Sequence, residues 1–238
     1  MSGYFYAIGG ANYDKKESLT IDLDIIEEAK KKNPNVLLIS AANNYDISKI
    51  NNFKFYYESL GANVTLLKPD INDINELNEL FNNTDIIYIL GGITSRLLEY
   101  AKGINLHNLL INAYNVGKII VGVSAGAILF FDYGFGDKDA YQFNLETVNH
   151  KITNGLGIFK GVFCPHYQNS GLITFNEKIK NYNLNGFALE NGAALKIFQE
   201  GFKVVRNKGC SAFMFDKEKN HQLIYLNEKM TYNIKLFK

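Results

Sequence analysis

Short apolar runs at residues 4–8, 36–41, 63–67, 85–90 and 118–123 recur through the first half of the chain, separated by longer amphipathic stretches. No other feature of the sequence constrains the fold as strongly. Runs that are apolar at nearly every position suit strands covered on both faces, and such strands are parallel because the connecting helices lie on those faces. Residues 19–32 carry apolar side chains at helical spacing behind Ser18, an N-cap type, and stop before Asn33-Pro34, where proline disfavours helix. Residues 53–60 repeat the scheme and end at Gly61. With right-handed crossovers this predicts a doubly wound α/β fold, a mostly parallel sheet sandwiched by helices.

After about Asn185 the pattern changes to strand-like runs at 186–190, 193–198, 202–206, 211–215 and 223–226, joined by turns such as Glu200-Gly201 and Lys208-Gly209. These read as antiparallel C-terminal strands at the edge of the sheet. No low-complexity linker or repeat divides the chain, so a single domain over 1–238 is expected. The 25 basic and 24 acidic side chains are interspersed and leave a net charge of +1, which gives no field for a polyanion and argues against nucleic acid as a partner. No apolar stretch approaches the length of a membrane span and the start carries no basic leader, so a cytoplasmic protein without a membrane partner is expected. Cys164 and Cys210 lie in apolar surroundings without CxxC spacing, as reduced thiols do.

The run Lys118 to Leu129 is a buried strand followed by Gly122-Val123-Ser124-Ala125-Gly126 and an apolar helix start, the context of a nucleophile elbow. A serine on a sharp strand-to-helix turn needs small neighbours, and Gly122, Ala125, Gly126 and Ala127 supply them. The free N–H groups of the following helix can hold an oxyanion. The competing reading is a glycine-flanked serine that only caps a helix.

A serine nucleophile needs a base, and the chain offers His107, His150, His166 and His221. His107 falls in a helical stretch, 106–116, and His150 and His221 in polar segments. His166 directly follows the apolar run 158–165, which places it at a strand end where a doubly wound sheet gathers its site residues. A third residue should orient the imidazole. Glu190 leads, at a strand tip before Asn191-Gly192-Ala193-Ala194, although an exposed turn glutamate accounts for it equally well. Asp132, Asp137 and Asp139, after the elbow helix, stand in reserve.

Leu90-Gly91-Gly92-Ile93-Thr94 also ends a buried run, and a backbone N–H of its glycine pair can complete an oxyanion hole. Ile8-Gly9-Gly10-Ala11 can cradle a ligand but lacks the third glycine of a dinucleotide fingerprint. Neither a phosphate-binding loop nor a set of metal ligands is legible, so no cofactor and no metal are expected.

Taken together, Gly122 to Ala127, the Gly91-Gly92-x-Thr94 loop, Cys164-Pro165-His166-Tyr167 and Ala188 to Ala194 resemble the peptidase E family, serine dipeptidases specific for N-terminal aspartate and related to cyanophycinase. The resemblance extends over most of the chain. It implies Ser124 as nucleophile, His166 as base, Glu190 as third residue, and an oxyanion hole from the N–H groups of Gly92 and Ala125. It also implies a fold like class I glutamine amidotransferase domains, with no cofactor and a short peptide as partner. Family members carry basic residues soon after the histidine segment, whereas residues 168–181 hold only Lys178 and Lys180. Because arginine occurs only at 96 and 206, Arg96 is the expected partner of an acidic substrate side chain, a surface ion pair being its other reading. The activity expected is that of a serine peptidase acting on short peptides near the N-terminus, an aspartyl dipeptidase. The alternatives are hydrolysis of another amide such as a β-aspartyl linkage, or a non-catalytic binding protein on the same scaffold.

Overall fold

Alternate residues of the central strands divide between two cores. Phe5 and Ala7 face one side with Leu37, Ile39, Ile87, Ile89 and Ile120, while Tyr6 and Ile8 face the other with Val36, Leu38, Ile86, Tyr88 and Val121. Successive strand residues point to opposite faces, so a run that is apolar throughout must be covered twice. The computed structural model describes residues 2–71, 73–137, 150–168 and 172–238.

The first half runs β1 (Tyr4–Ile8), α1 (Leu19–Glu28), β2 (Asn35–Ile39), α2 (Ile47–Ser59), β3 (Asn63–Leu66), α3 (Ile74–Asn82), β4 (Ile86–Ile89), α4 (Thr94–Gly103), α5 (Leu106–Asn115), β5 (Ile119–Val123) and α6 (Ala125–Ile128). The second runs β6 (Phe131–Asp137), β7 (His150–Asn154), β8 (Phe159–Cys164), α7 (Leu172–Lys178), β9 (Gly186–Leu189), β10 (Ala193–Ile197), β11 (Gly201–Arg206), β12 (Ala212–Asp216), β13 (Gln222–Tyr225) and β14 (Tyr232–Asn233). The main sheet has the order β14-β11-β10-β1-β5-β4-β2-β3. Its β1, β5, β4, β2 and β3 are parallel, and β10, β11 and β14 continue it in antiparallel fashion beyond β1.

The doubly wound α/β class expected from the sequence is the one found. α1 and α2 cover one face through Ile21, Ile25, Ile50 and Phe53. The other is covered by α3, α4 and α5 and by a second sheet, β13-β12-β9-β8-β6-β7, whose Phe131, Phe163, Phe187 and Met214 share that core. This second sheet was not expected. The elbow helix α6 is a single turn, and the chain enters β6 three residues later instead of continuing as a long helix. Consequently β9, β12 and β13 are not edge strands of the main sheet. They pair with β8 and with each other on a separate layer.

Two helix boundaries also differ. α2 begins at Ile47 because Asp46 accepts the backbone N–H of Ser48 at 2.9 Å and of Lys49 at 3.3 Å, a side-chain N-cap. α1 stops at Glu28, and Lys30 takes a left-handed φ of 52°. α1 and α2 are joined beneath the surface through Asp22, which is fully buried yet accepts hydrogen bonds from Ser18, Tyr56 and Tyr57. A buried carboxyl is tolerable only with such partners. Among the described residues no helix is long and apolar enough to cross a membrane.

Candidate active site

Three carboxyl ends of the main sheet, those of β1, β4 and β5, converge with those of β8 and β9 from the second sheet. Backbone hydrogen bonds fix the convergence: Ser124 N–H donates to Ile8 O at 3.0 Å, His166 N–H to Gly9 O at 3.1 Å, and Gly192 N–H to Gly10 O at 2.9 Å. Tyr167 N–H donates to Leu189 O at 3.0 Å, which ties the end of β8 to that of β9. Residues far apart in sequence are thereby held by backbone rather than by flexible side chains.

Ser124 follows β5 with φ 53° and ψ −113°, a conformation that suits glycine. Gly122 makes the turn sterically feasible, since a β-carbon there would collide with the carbonyl of Gly126. Strain of this kind persists where surrounding structure over-determines it, here through β5 behind and the buried Ala125, Gly126 and Ala127 ahead. His166 also has positive φ, 52°. Its Nε2 lies 2.8 Å from Ser124 Oγ, so serine and histidine, 42 residues apart, form the pair expected from the sequence.

The partner on the other side of the ring differs from expectation. Asn191 Oδ1, not a Glu190 oxygen, faces His166 Nδ1, at 2.6 Å. Glu190 instead accepts the backbone N–H of Ser211 at 2.7 Å through Oε2, tying the end of β9 to the segment that leads into β12. Adjacent residues at a strand tip point opposite ways, and the one that points toward the histidine is the amide. Gly10 makes room for the pair: a β-carbon there would strike Asn191 Oδ1 and lie 2.6 Å from the His166 ring. Asn191 is further fixed by its N–H donating to Gln168 Oε1 at 3.0 Å.

The remaining candidates are placed elsewhere or outside view. His107 Nδ1 lies 3.2 Å from Asn108 Oδ1 on α5, and His221 Nε2 is 3.0 Å from Leu184 O. Asp132 accepts Gly161 N–H at 3.2 Å and so links β6 to β8. Asp139 and the side chains of Asp137 and His150 lie outside the described residues. Both cysteines are free; burial pushes the Cys164 thiol far up, so it stays protonated beside the site.

A cleft of about 520 Å³ opens over Ser124 and His166. Gly91 and Gly92 form one wall, and a β-carbon on Gly91 would sit 3.0 Å from that of Ser124, so this loop lies directly against the nucleophile position. Arg96 is exposed on α4 and does not line the cleft, contrary to expectation, because the helix turns its side chain away two residues after Thr94. Among the described residues the lysine in the lining is Lys49, in the first turn of α2, and the acid is Asp14, whose Oδ2 accepts Asn52 Nδ2 at 3.3 Å. Neither was singled out from the sequence; the signal that could have found Lys49 is the N-cap pattern beginning at Asp46. Tyr13 adds an apolar wall, and burial pushes its phenol up, keeping it neutral. Among the described residues no group of three or more His, Cys, Asp or Glu side chains is gathered to hold a metal ion.

A strained serine at a sheet edge, bonded to a histidine at the base of a cleft, is the arrangement of a serine hydrolase. The sequence model of peptidase family S51 matches residues 5–205, and the chain belongs to that family. It is a serine-type peptidase by that membership. It is 28% identical over 216 residues to a Bacillus subtilis protein named "uncharacterized peptidase YgaJ", spanning 87% of this chain and 89% of that one. Among solved structures it is similar to a peptidase from an acI-B1 Actinobacterium, with a TM-score of 0.73 and 19% identity over 98% of this chain and 97% of that one. It is also similar to a candidate peptidase E protein from Listeria monocytogenes, with a TM-score of 0.66 and 20% identity over 87% of this chain and all of that one. At these identities the two structures speak for the fold.

Proposed function

We propose that this peptidase cleaves short peptides after their N-terminal residue, through Ser124 as nucleophile, His166 as general base and Asn191 as the group that orients the imidazole. The observation that carries the proposal is the 2.8 Å contact between Ser124 Oγ and His166 Nε2 at the floor of the cleft. Nε2 takes the hydroxyl proton as Oγ attacks the scissile carbonyl; the imidazolium returns it to the departing amine, and water then hydrolyses the acyl-enzyme. The amide of Asn191 plays the part that asparagine has in cysteine-histidine-asparagine proteases, accepting Nδ1–H so that Nε2 presents its lone pair to serine. The backbone N–H groups of Gly92 and Ala125 are the proposed oxyanion donors, a role favoured by the closeness of the Gly91-Gly92 loop to Ser124.

Cleft volume and charge favour a small zwitterionic substrate. A space of about 520 Å³ holds a peptide of a few residues, and among the described residues its walls carry one acid, Asp14, and one lysine, Lys49. Lys49 suits an acidic side chain or terminal carboxylate, and Asp14 suits the α-ammonium. The enzyme is accordingly read as a dipeptidase with a preference for N-terminal aspartate. Hydrolysis of a dipeptide panel that varies the first residue tests this reading. Cleavage of Asp-Leu in preference to Ala-Leu and to N-acetylated Asp-Leu is expected, and equal rates for all three would overturn the dipeptidase assignment.

A further inference from the structure

Behind Asn191 stands a carboxylate with no place in the mechanism so far. Asn191 Nδ2 points at Glu17 Oε2, 3.5 Å away, while Oδ1 of the same amide meets His166 Nδ1 at 2.6 Å. We infer that Glu17 is a positioning residue that supplies the negative charge of this site through the Asn191 amide, completing a line Ser124, His166, Asn191, Glu17. The inference rests on the reading of Ser124 and His166 as nucleophile and base.

An amide can face a histidine either way round. With Oδ1 toward Nδ1–H and the NH₂ toward a carboxylate, both ends make attractive contacts; flipped, the NH₂ would confront Nδ1–H and Oδ1 would confront Glu17, so both contacts would be repulsive. Glu17 therefore selects the orientation of the amide, and that orientation selects the imidazole tautomer with its proton on Nδ1 and its lone pair on Nε2, toward Ser124. A neutral amide alone fixes geometry but contributes little charge to offset the imidazolium that forms when Nε2 takes the serine proton. Glu17 provides it across one polarised amide. No proton moves along this line beyond His166: Nδ1–H stays on the ring and both Nδ2 hydrogens stay on the amide.

Glu17 is built into place by backbone. Its N–H donates to Asn12 O at 3.1 Å, and its carbonyl accepts Asn207 Nδ2 at 2.9 Å. The same carbonyl packs so closely on Gly192 that a side chain there would meet it. The segment before α1 is thus clamped onto the loop that carries Asn191. Among the described residues the titratable groups around it include Cys210, whose thiol is pushed up by burial and then by the charges of Glu190 and Glu17, against Arg206; Glu190 itself, bonded to Ser211 N–H; and Arg206, paired with Glu228. Arg206 also donates to the carbonyl of Cys210.

The test is the rate at which a fluorophosphonate labels Ser124, followed against pH in the wild type, Glu17→Gln and Asn191→Asp. This readout needs no peptide substrate. Glutamine keeps an oxygen for Asn191 Nδ2 and every backbone contact, so a structural role would survive Glu17→Gln while the charge would not. The acid limb of the labelling profile should move to lower pH in Glu17→Gln by about half a pH unit or more, since removing a nearby anion disfavours the imidazolium. In Asn191→Asp, with the anion brought directly onto Nδ1, the limb should move to higher pH. A Glu17→Gln profile that superimposes on that of the wild type overturns the inference, as does an Asn191→Asp profile that does not move. A labelled wild type with an unmoved Glu17→Gln variant rejects this inference alone, whereas an unlabelled wild type rejects it together with the hydrolase reading.

Discussion

The hydroxyl of Tyr57 lies 2.6 Å from Oδ1 of Asp22, and both residues are fully buried. Oδ2 of the same carboxyl accepts Ser18 Oγ at 2.7 Å and Tyr56 OH at 3.0 Å. Burial pushes the Asp22 carboxyl up to about 6, and the hydrogen bonds from Tyr57, Ser18 and Tyr56 limit the rise. This junction holds α1 against α2, whose first turn carries Lys49 into the cleft.

A pH dependence of stability follows. An unfolded aspartate ionises near pH 4, so between about pH 4 and about pH 6 the folded chain holds more protons than the unfolded one and stability falls as pH rises. The contribution is whole below about pH 4 and lost as pH passes about 6, an effect on the order of 3 kcal/mol at most. Asp22→Asn keeps the shape and removes the titration. Thermal melts at pH 4.5 and 7.5 should show the wild type losing more stability over that interval than Asp22→Asn; parallel changes would mean that Asp22 does not ionise there.

Ser124 combines the nucleophile with a glycine-like backbone, and two substitutions separate these properties. Ser124→Ala and Ser124→Gly should both abolish turnover while the chain remains folded, since the covalent route depends on the hydroxyl. Relief of the positive φ should make Ser124→Gly the more stable of the two by roughly 1 kcal/mol, or about 2–4 °C in Tm. A lower Tm for the glycine variant would show that the elbow carries no such strain. His166→Ala should be as inactive as Ser124→Ala, whereas His107→Ala and His221→Ala, whose rings bond Asn108 and Leu184, should keep most activity.

Asn191 and Glu190 make opposite predictions about the third residue of the site. Asn191→Ala removes the acceptor on Nδ1 and should lower kcat by about 10²-fold or more. Glu190→Gln retains an oxygen for Ser211 N–H and should leave kcat within about threefold of the wild type, because its side chain bonds away from the ring. Steady-state kinetics on one dipeptide decides the matter: a large loss in Glu190→Gln with little in Asn191→Ala would return the role to the glutamate.

The residues that sequence reading could place are those whose chemistry is local. Ser124 declares itself through a buried strand, flanking glycines and alanines, and a helix start, all within a dozen residues; His166 does so through the apolar run before it. Glu190 and Asn191 are different, because which of two neighbours faces the histidine depends on the tip of β9 and on Gly10, far away in the chain. Chemistry alone favours the carboxylate, and geometry chose the amide. The central parallel strands were legible from their uninterrupted apolar runs. The second sheet was hidden because β6 follows a single-turn helix and, with Asp132, Gly134 and Gly136 inside it, lacks the uninterrupted apolar run that marks the central strands. Arg96 failed as a pocket residue for a simpler reason: rarity of arginine says nothing about which face of α4 carries it.

In the function proposed above Lys49 takes the part first expected of Arg96, and a substrate ratio tests the exchange. Lys49 lies in the first turn of α2 and lines the cleft, while Arg96 is exposed outside it. An acidic substrate side chain entering the cleft gains a charge-assisted contact with an ammonium group there. Because Lys49 is exposed, solvent limits that contact to about 1 kcal/mol, so the expected effect is modest, roughly three- to fivefold. Lys49→Ala should lower kcat/KM for Asp-Leu by that factor relative to Ala-Leu, and the difference should shrink in high salt as the pair is screened. Arg96→Ala should leave the ratio of the two dipeptides unchanged. Measuring both ratios in the wild type and the two variants checks the assignment: an unmoved ratio in Lys49→Ala removes the lysine from substrate selection, and a ratio that moves only in Arg96→Ala means that α4 reaches the substrate.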